Sequence, residues 1–250
     1  MAPKNNIPFS IRKFAPSDQR AATSLFRDGI MENVYPAFFK ALGHPDHIGI
    51  ALSISMAGYV LGGSSYFQAL LFVSAWAALL YYCCHEIYEG FLAQRMGADM
   101  ADINASYLVN PDSAFWVAET EVKGQQKLAG VVALIGKRSE NDGERFDDWN
   151  GGVIGEESEF GSHAELMHLV VSFPWRRKGF GSEMMQTVMD FCKERGYGRL
   201  VLDVSSSQTA AIAMCQKFGF VQTGSHNNTH PNRWFSRLAR VSMLRMEKVL

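Results

Sequence analysis

With 250 residues, 47% of them hydrophobic, and 24 basic against 25 acidic side chains, the chain has room for one sizeable domain plus an appendage. The balanced charge gives no basic footprint for nucleic acid, and the sequence carries no nucleic-acid-binding module. Cys83, Cys84, Cys192 and Cys215 have the spacing of neither a disulfide framework nor a zinc site, so a thiol-reducing compartment is expected.

Met1 to Phe14 lacks the apolar core of a signal peptide, so translocation by that route is not expected. Phe9 to Phe14 reads as a first strand. Ser17 is the candidate N-cap of a helix in which Ala21, Ala22, Leu25, Phe26, Ile30 and Val34 recur at helical spacing, and Pro36 closes or bends it. The composition then shifts: from Ile48 to Cys84 there is no Asp, Glu, Lys or Arg. One helix of that length would run roughly 55 Å, against about 30 Å of bilayer hydrocarbon. Gly62-Gly63-Ser64-Ser65 offers a turn, so two helices are expected, near Ile48–Leu61 and Tyr66–Cys84. They form either two spans or a re-entrant hairpin, with a buried soluble hairpin as the alternative. Tyr59, Tyr66, Trp76, Tyr81 and Tyr82 are candidate interfacial anchors, and Cys83-Cys84 either an S-acylation site or two core thiols. The expected division is 1–47, a first strand and helix; 48–84, a membrane hairpin; and 85–250, the main body of the domain.

His85 to Leu108 reads as a helix punctuated by Gly97. Ala114–Glu121 and Lys127–Arg138 read as two strands joined by VKGQQ in an antiparallel hairpin. From Ser139 to His163, eight acidic residues oppose Arg145 alone, which suggests a solvated loop or attraction for a cationic substrate. Ala164 to Ser172 is a further apolar strand, stopped by Pro174, and a helix starts near Gly179. A helix N-terminus after such a turn presents unpaired N–H groups to an anion. Gly179 and Gly181 permit close approach, and Arg176, Arg177 and Lys178 add positive charge. Met184 stands where a dinucleotide fingerprint needs its third glycine, and no G-x-x-x-x-G-K-[ST] occurs. Gly196 ends the helix; Arg199–Ser205 is a strand, Gln208–Phe218 a helix, Phe218-Gly219-Phe220 enters another strand, and Val241–Leu250 is the last. Strand alternation puts His163 and Glu165 on one face and His168 on the other, so these three are not expected to converge on a metal, and none is expected elsewhere.

A strand, Arg-x-x-Gly-x-Gly, a helix ending in Gly-Tyr, a second strand, a short Ala-rich helix and Gly-Phe, in that order, resemble the GNAT superfamily of N-acetyltransferases. ADMADINASYL, FWVAE, AELMHLVVS and the hairpin before them are similar to its camello-like branch, which includes cysteine S-conjugate N-acetyltransferases, endoplasmic-reticulum lysine acetyltransferases and the N-acetylaspartate synthetase. The resemblance implies an α/β (α+β) fold with a mixed, mostly antiparallel sheet and flanking helices. It implies acetyl-CoA as cosubstrate, a primary amine as acceptor, and a membrane-bound enzyme. Acetyl-CoA would contact Val170, Val171, Arg176, Arg177, Lys178, Gly179, Phe180, Gly181, Ser182 and Gln208, with strand N–H groups near Val170 or Val171 holding the thioester oxygen. Glu165 matches the position of the general base in GNAT histone acetyltransferases, and His168 is the substitute. Cys215 stands where many members carry a tyrosine acid. That departure keeps open a catalytically weak relative acting as a membrane-bound scaffold. The expected location is an internal membrane such as the endoplasmic reticulum, with both flanks in the cytosol.

Overall fold

The computed structural model describes residues 9–137 and 162–250. The acidic residues between Ser139 and His163, and any role in attracting substrate, lie outside this range. β2 (Ala114–Val122) and β3 (Gln125–Lys137) pair antiparallel through Lys123-Gly124, both at positive φ (54° and 76°). A two-residue hairpin loop of the twist-matched kind requires this at both positions. β1 (Phe9–Lys13) pairs with β2, and β4 (His163–Val171) with β3, both antiparallel. β5 (Arg199–Ser205) runs parallel to β4, and β7 (Met243–Val249) joins it to β6 (Val221–His226). The strand order β1-β2-β3-β4-β5-β7-β6 is the expected mixed, mostly antiparallel sheet.

Helices cover both faces. α5 (Phe180–Glu194) buries Met184, Met185, Val188 and Cys192 against Trp116, Leu134 and Leu166. On the other face, α1 (Gln19–Met31) contributes Phe26 to a core with Phe115, Val117, Val131 and Val170. Val170 Cγ1 lies 2.2 Å from where a Cβ on Gly29 would sit, so the glycine is what lets α1 lie on the strand. α2 (Val34–Leu42) follows α1 after a break at Asn33, whose Nδ2 donates to the Gly29 carbonyl at 2.8 Å. Pro36 therefore falls in the first turn of α2, where its missing N–H costs nothing, rather than closing a helix. Asp18, not Ser17, anchors the start of α1, accepting the Ala15 N–H at 3.0 Å while bound to Arg12.

The charge-free run forms α3 (Pro45–Leu61) and α4 (Tyr66–Gly97), packed together across a turn with Gly63 and Ser64 at positive φ. α4 does not stop at Cys84. No glycine, proline or cap interrupts it there, so it continues for 32 residues. Phe67, Leu70, Leu71, Phe72 and Leu79 in its first half are exposed; Leu80, Cys83, Cys84, Ile87, Tyr88 and Leu92 are buried. Both thiols at 83 and 84 are core residues. By length and composition α4 is the one helix among the described residues able to cross a membrane. Trp76 lies against His47 at 5.7 Å between ring centroids, so its indole packs within the hairpin, whereas Tyr82 is exposed. Beyond Gly97 the helix breaks, and Asn104–Leu108 form a π-helical turn rather than a continuation. Among the described residues α6 (Thr209–Lys217) and α7 (Arg233–Ala239) complete the set of helices. Sequence reading did not find α7. Its signal is Asn232, after Pro231, whose side chain caps the Trp234 N–H at 3.0 Å.

Candidate active site

β4 and β5 pair only from His163↔Arg199 to Leu166↔Leu202, although β4 remains bonded to β3 as far as Val171 and β5 to β7 as far as Ser205. The two strands therefore diverge, leaving unpaired backbone on the edge of β4 that faces β5. At the mouth of this split, a cavity of about 150 Å³ is lined by Glu165, His168, Gln208 and Cys215, and by Phe91 and Arg95 from α4.

A bulge reshapes β4 inside the split. Pairing with β3 jumps from Val131↔Val170 to Ala133↔Met167, so His168 and Leu169 oppose Val132 alone, and His168 takes φ 54°. The extra residue reverses the alternation. His168 packs edge-on against Phe26 at 4.6 Å, in the core that also receives Met167 and Ile135, the partner of Glu165. Simple alternation would place Glu165 and His168 on opposite faces; the bulge brings them to the same one. Even so, the one group of three metal-type ligands within 4.8 Å among the described residues is His85, Glu86 and Glu89 on α4, not these strand residues.

The His168 side chain is buried, and its Nε2–H donates to Asp99 Oδ2, which also accepts the Tyr107 hydroxyl; Arg95 lies 3.9 Å from Oδ1. Burial holds the imidazole below its usual pKa, partly opposed by the hydrogen bond and charge of Asp99. For Asp99, burial pushes upward, but the bonds from His168 and Tyr107 and the charge of Arg95 outweigh it, and the carboxyl stays below its usual range. The arrangement gives a neutral imidazole near pH 7 whose Nε2 is occupied, leaving Nδ1 as the basic nitrogen. Sequence reading did not single out Asp99 or Tyr107, although both lie in ADMADINASYL.

Glu165 is differently placed. Its Oε1 is 3.0 Å from Lys137 Nζ and 3.9 Å from both His163 Nε2 and an Arg245 nitrogen. Asp203, across from Arg245, has its carboxyl pushed up by burial and, to a lesser degree, by Glu165. Cys215 is buried, and burial, partly opposed by a backbone hydrogen bond, pushes its thiol up to about 11.

The glycine turn from β4 into α5 is formed as expected, and its residues are differently engaged. Gly179 is the N-cap of α5 at φ 95°, with open space where a Cβ would sit, so its conformation requires glycine. A Cβ on Gly181 would meet Met214 Sδ at 3.2 Å and Val171 Cγ2 at 3.7 Å, which places it inside the split. The Phe180 ring stacks on Phe9 at 4.0 Å in the core, so only its backbone can face a ligand. The Ser182 N–H turns back to the Gly179 carbonyl at 3.0 Å. Arg176 is committed to the Val171 carbonyl, at 2.8 Å, and to Glu32, while Lys178 lies over Trp175 at 4.6 Å. Arg177, at φ 63°, is exposed. Gln208 Oε1 accepts the Ser205 N–H at 3.3 Å at the end of β5.

Residues 80–220, the span holding the split strands, the glycine turn and most of the cavity lining, match the model of the acetyltransferase (GNAT) family. The chain belongs to this family. GNAT relatives extend the similarity: N-acetyltransferase family 8 member 3 of Mus musculus is 30% identical over 240 residues, covering 96% of this chain and 95% of the relative. The probable N-acetyltransferase camello of Xenopus laevis is 29% identical over 213 residues, covering 84% and 85%. Among solved structures, a GCN5-related N-acetyltransferase from Kribbella flavida is similar at a TM-score of 0.49 and 13% identity, over 97% of this chain and 98% of that one. Membership makes the protein an acetyltransferase with a GNAT-like α/β fold.

Proposed function

We propose that this protein is a membrane-bound N-acetyltransferase that moves an acetyl group from acetyl-CoA to a primary amine, either an amino-acid-like small molecule or a protein lysine. The observation that carries this reading is the split between β4 and β5, with the glycine turn beside it and His168, held by Asp99, on the cavity wall. The residues fit an extended thioester carrying phosphates. The edge of β4 past Leu166, no longer paired with β5, offers backbone groups near Val170 and Val171 to an amide-bearing arm, with the Val171 carbonyl already taken by Arg176, and the first N–H groups of α5 at Phe180 and Gly181 offer donors to a pyrophosphate. Arg177, Lys178 and Ser182 border that turn, and Gln208 borders the split. When bound, acetyl-CoA supplies an acyl carbon open to attack.

The chain must take a proton from the acceptor, since an alkyl ammonium near pH 7 is almost wholly protonated. His168 performs this through Nδ1, with Asp99 holding the ring and Tyr107 holding Asp99. Glu165 has a second reading, as the base itself, favoured by its place on the cavity wall. Its Oε1 is already occupied by Lys137, with Arg245 close by, which makes it the less available acceptor for the proton. Cys215, neutral at pH 7, faces the departing thiol, whose own acidity near a pKa of about 8.5 makes strong acid help unnecessary.

Membrane attachment is assigned to the hairpin, 48–84, set between 1–47 and 85–250. α3 spans about 26 Å at 1.5 Å per residue, short of the roughly 30 Å hydrocarbon core, which favours a re-entrant hairpin over two crossings. Both flanks then lie on one side, which we take as the cytosolic face of the endoplasmic-reticulum membrane, because acetyl-CoA and reduced thiols are plentiful in the cytosol. Calorimetry of acetyl-CoA binding tests the cleft: Gly181→Asp puts a carboxylate into the split, and affinity should fall at least about tenfold. Unchanged affinity in the folded variant would place the cosubstrate elsewhere.

A further inference from the structure

From Val204 to Met246 the chain contains Lys217, Arg233, Arg237, Arg240 and Arg245 but no Asp or Glu. The fold sets part of this stretch against the base of the hairpin. Phe235 of α7 meets Tyr82 of α4 at 5.8 Å, edge to face, and Arg240 at the end of α7 bonds His44 at 2.9 Å and pairs with Asp46, at the start of α3. Arg240 is thus a fastening between α7 and the hairpin. Arg233, Trp234 and Arg237 occupy the outer face of α7 and are exposed, with the Arg237 guanidinium 5.9 Å from the Trp234 ring.

Beside α7, α2 packs on the same level of α4: Tyr35 and Phe38 both lie 5.8 Å from Tyr81. The outward aromatic residues at this level are Tyr35 (59% exposed), Phe39 (64%), Tyr82 (50%) and Trp234 (68%). They lie on α2, α4 and α7 near the level where the exposed apolar stretch gives way to Glu86 and Glu89. Such a group of exposed large aromatic residues is costly in water and favoured at the headgroup level of a bilayer.

We infer that α2, Tyr82 and α7 form a collar that seats the catalytic domain on an anionic lipid surface, with Trp234 at headgroup depth and Arg233 and Arg237 facing lipid phosphates or carboxylates. This rests on the proposed membrane hairpin and adds to it a lipid charge preference and a fixed seating. Because Phe91 and Arg95 of the same α4 line the cavity, seating the collar also sets the height of the active site above the membrane.

The test uses the full chain, transferred from detergent, with vesicles of phosphatidylcholine alone or with about one third phosphatidylserine, and flotation to measure partitioning. At low salt the wild type should partition more strongly to the anionic vesicles by about 25-fold, roughly fivefold per exposed arginine, and the gain should shrink as salt rises. The Arg233→Gln/Arg237→Gln variant should lose that gain yet still bind phosphatidylcholine, with acetyl transfer in detergent unchanged as its folding control. Equal lipid dependence in wild type and variant, or no preference in the wild type, overturns the collar. Failure of the wild type to bind phosphatidylcholine at all overturns the inserted hairpin instead.

Discussion

His168 does its proposed work only because Asp99 occupies its Nε2. Asp99→Asn would let the ring adopt the other tautomer or turn away, and kcat should fall about 10²-fold or more with acetyl-CoA affinity kept. Burial holds His168 below its ordinary pKa near 6.5, so kcat/KM should rise with pH through a value below 6.5, and Asp99→Asn should move that inflection. Stability should follow the same sign. Between the folded and unfolded values the unfolded chain binds more protons, so stability is full above about 6.5 and is lost as pH falls through the folded value. If Glu165→Gln abolishes turnover at every pH and Asp99→Asn does not, the strand glutamate is the base. Glu165 and His168 were legible in the sequence because both sit on one apolar strand beside the glycine turn. Asp99 was not, since it lies 69 positions from His168 and meets it only in the folded chain. The shared face of Glu165 and His168 was hidden as well, because alternation carries no sign of a bulge.

At the level of elements, most strands and the α5–β5–α6 succession could be read from periodicity and turn residues, as the limits of β5 at Arg199 and Ser205 show. What could not be read were the places where tertiary contacts override local signals. α4 runs past Cys84 because its second half is buried on three sides, by α1, α2 and α7, so the return of charge at Glu86 marks a change of surroundings rather than an end. α7 is too short to show a period. The packing of α1 on β4 depends on Gly29. Val170 is stiff at χ1 and cannot turn out of the way of a new Cβ at 2.2 Å, so Gly29→Ala must displace the helix. Denaturant unfolding should show a loss of about 1–3 kcal/mol. A neutral or stabilising result, as expected for Gly→Ala in a helix with free space, would mean that α1 does not lie so close to the strand.

For the molecule as a whole, α4 joins the exposed apolar hairpin to the catalytic cavity in one continuous helix. The sequence revealed the two parts, through a charge-free run and a family-like core, but not that a single helix belongs to both. Orientation can be checked on the natural sequons. Asn104 is exposed in Asn104-Ala-Ser106, so a lumenal domain would present a usable glycan acceptor. Expressed protein should show no glycosidase-sensitive mass, and its C-terminus should be digested by protease added to intact microsomes; a glycan or protection would place the domain in the lumen. The central claim, that the split between β4 and β5 carries out acetyl transfer to an amine, is tested most directly by incubating purified wild-type protein with labelled acetyl-CoA and a panel of primary amines and lysine peptides. Time-dependent formation of an N-acetyl product from at least one acceptor, greatly reduced in Asp99→Asn, is the expected result; bound acetyl-CoA with no product from any acceptor would contradict it.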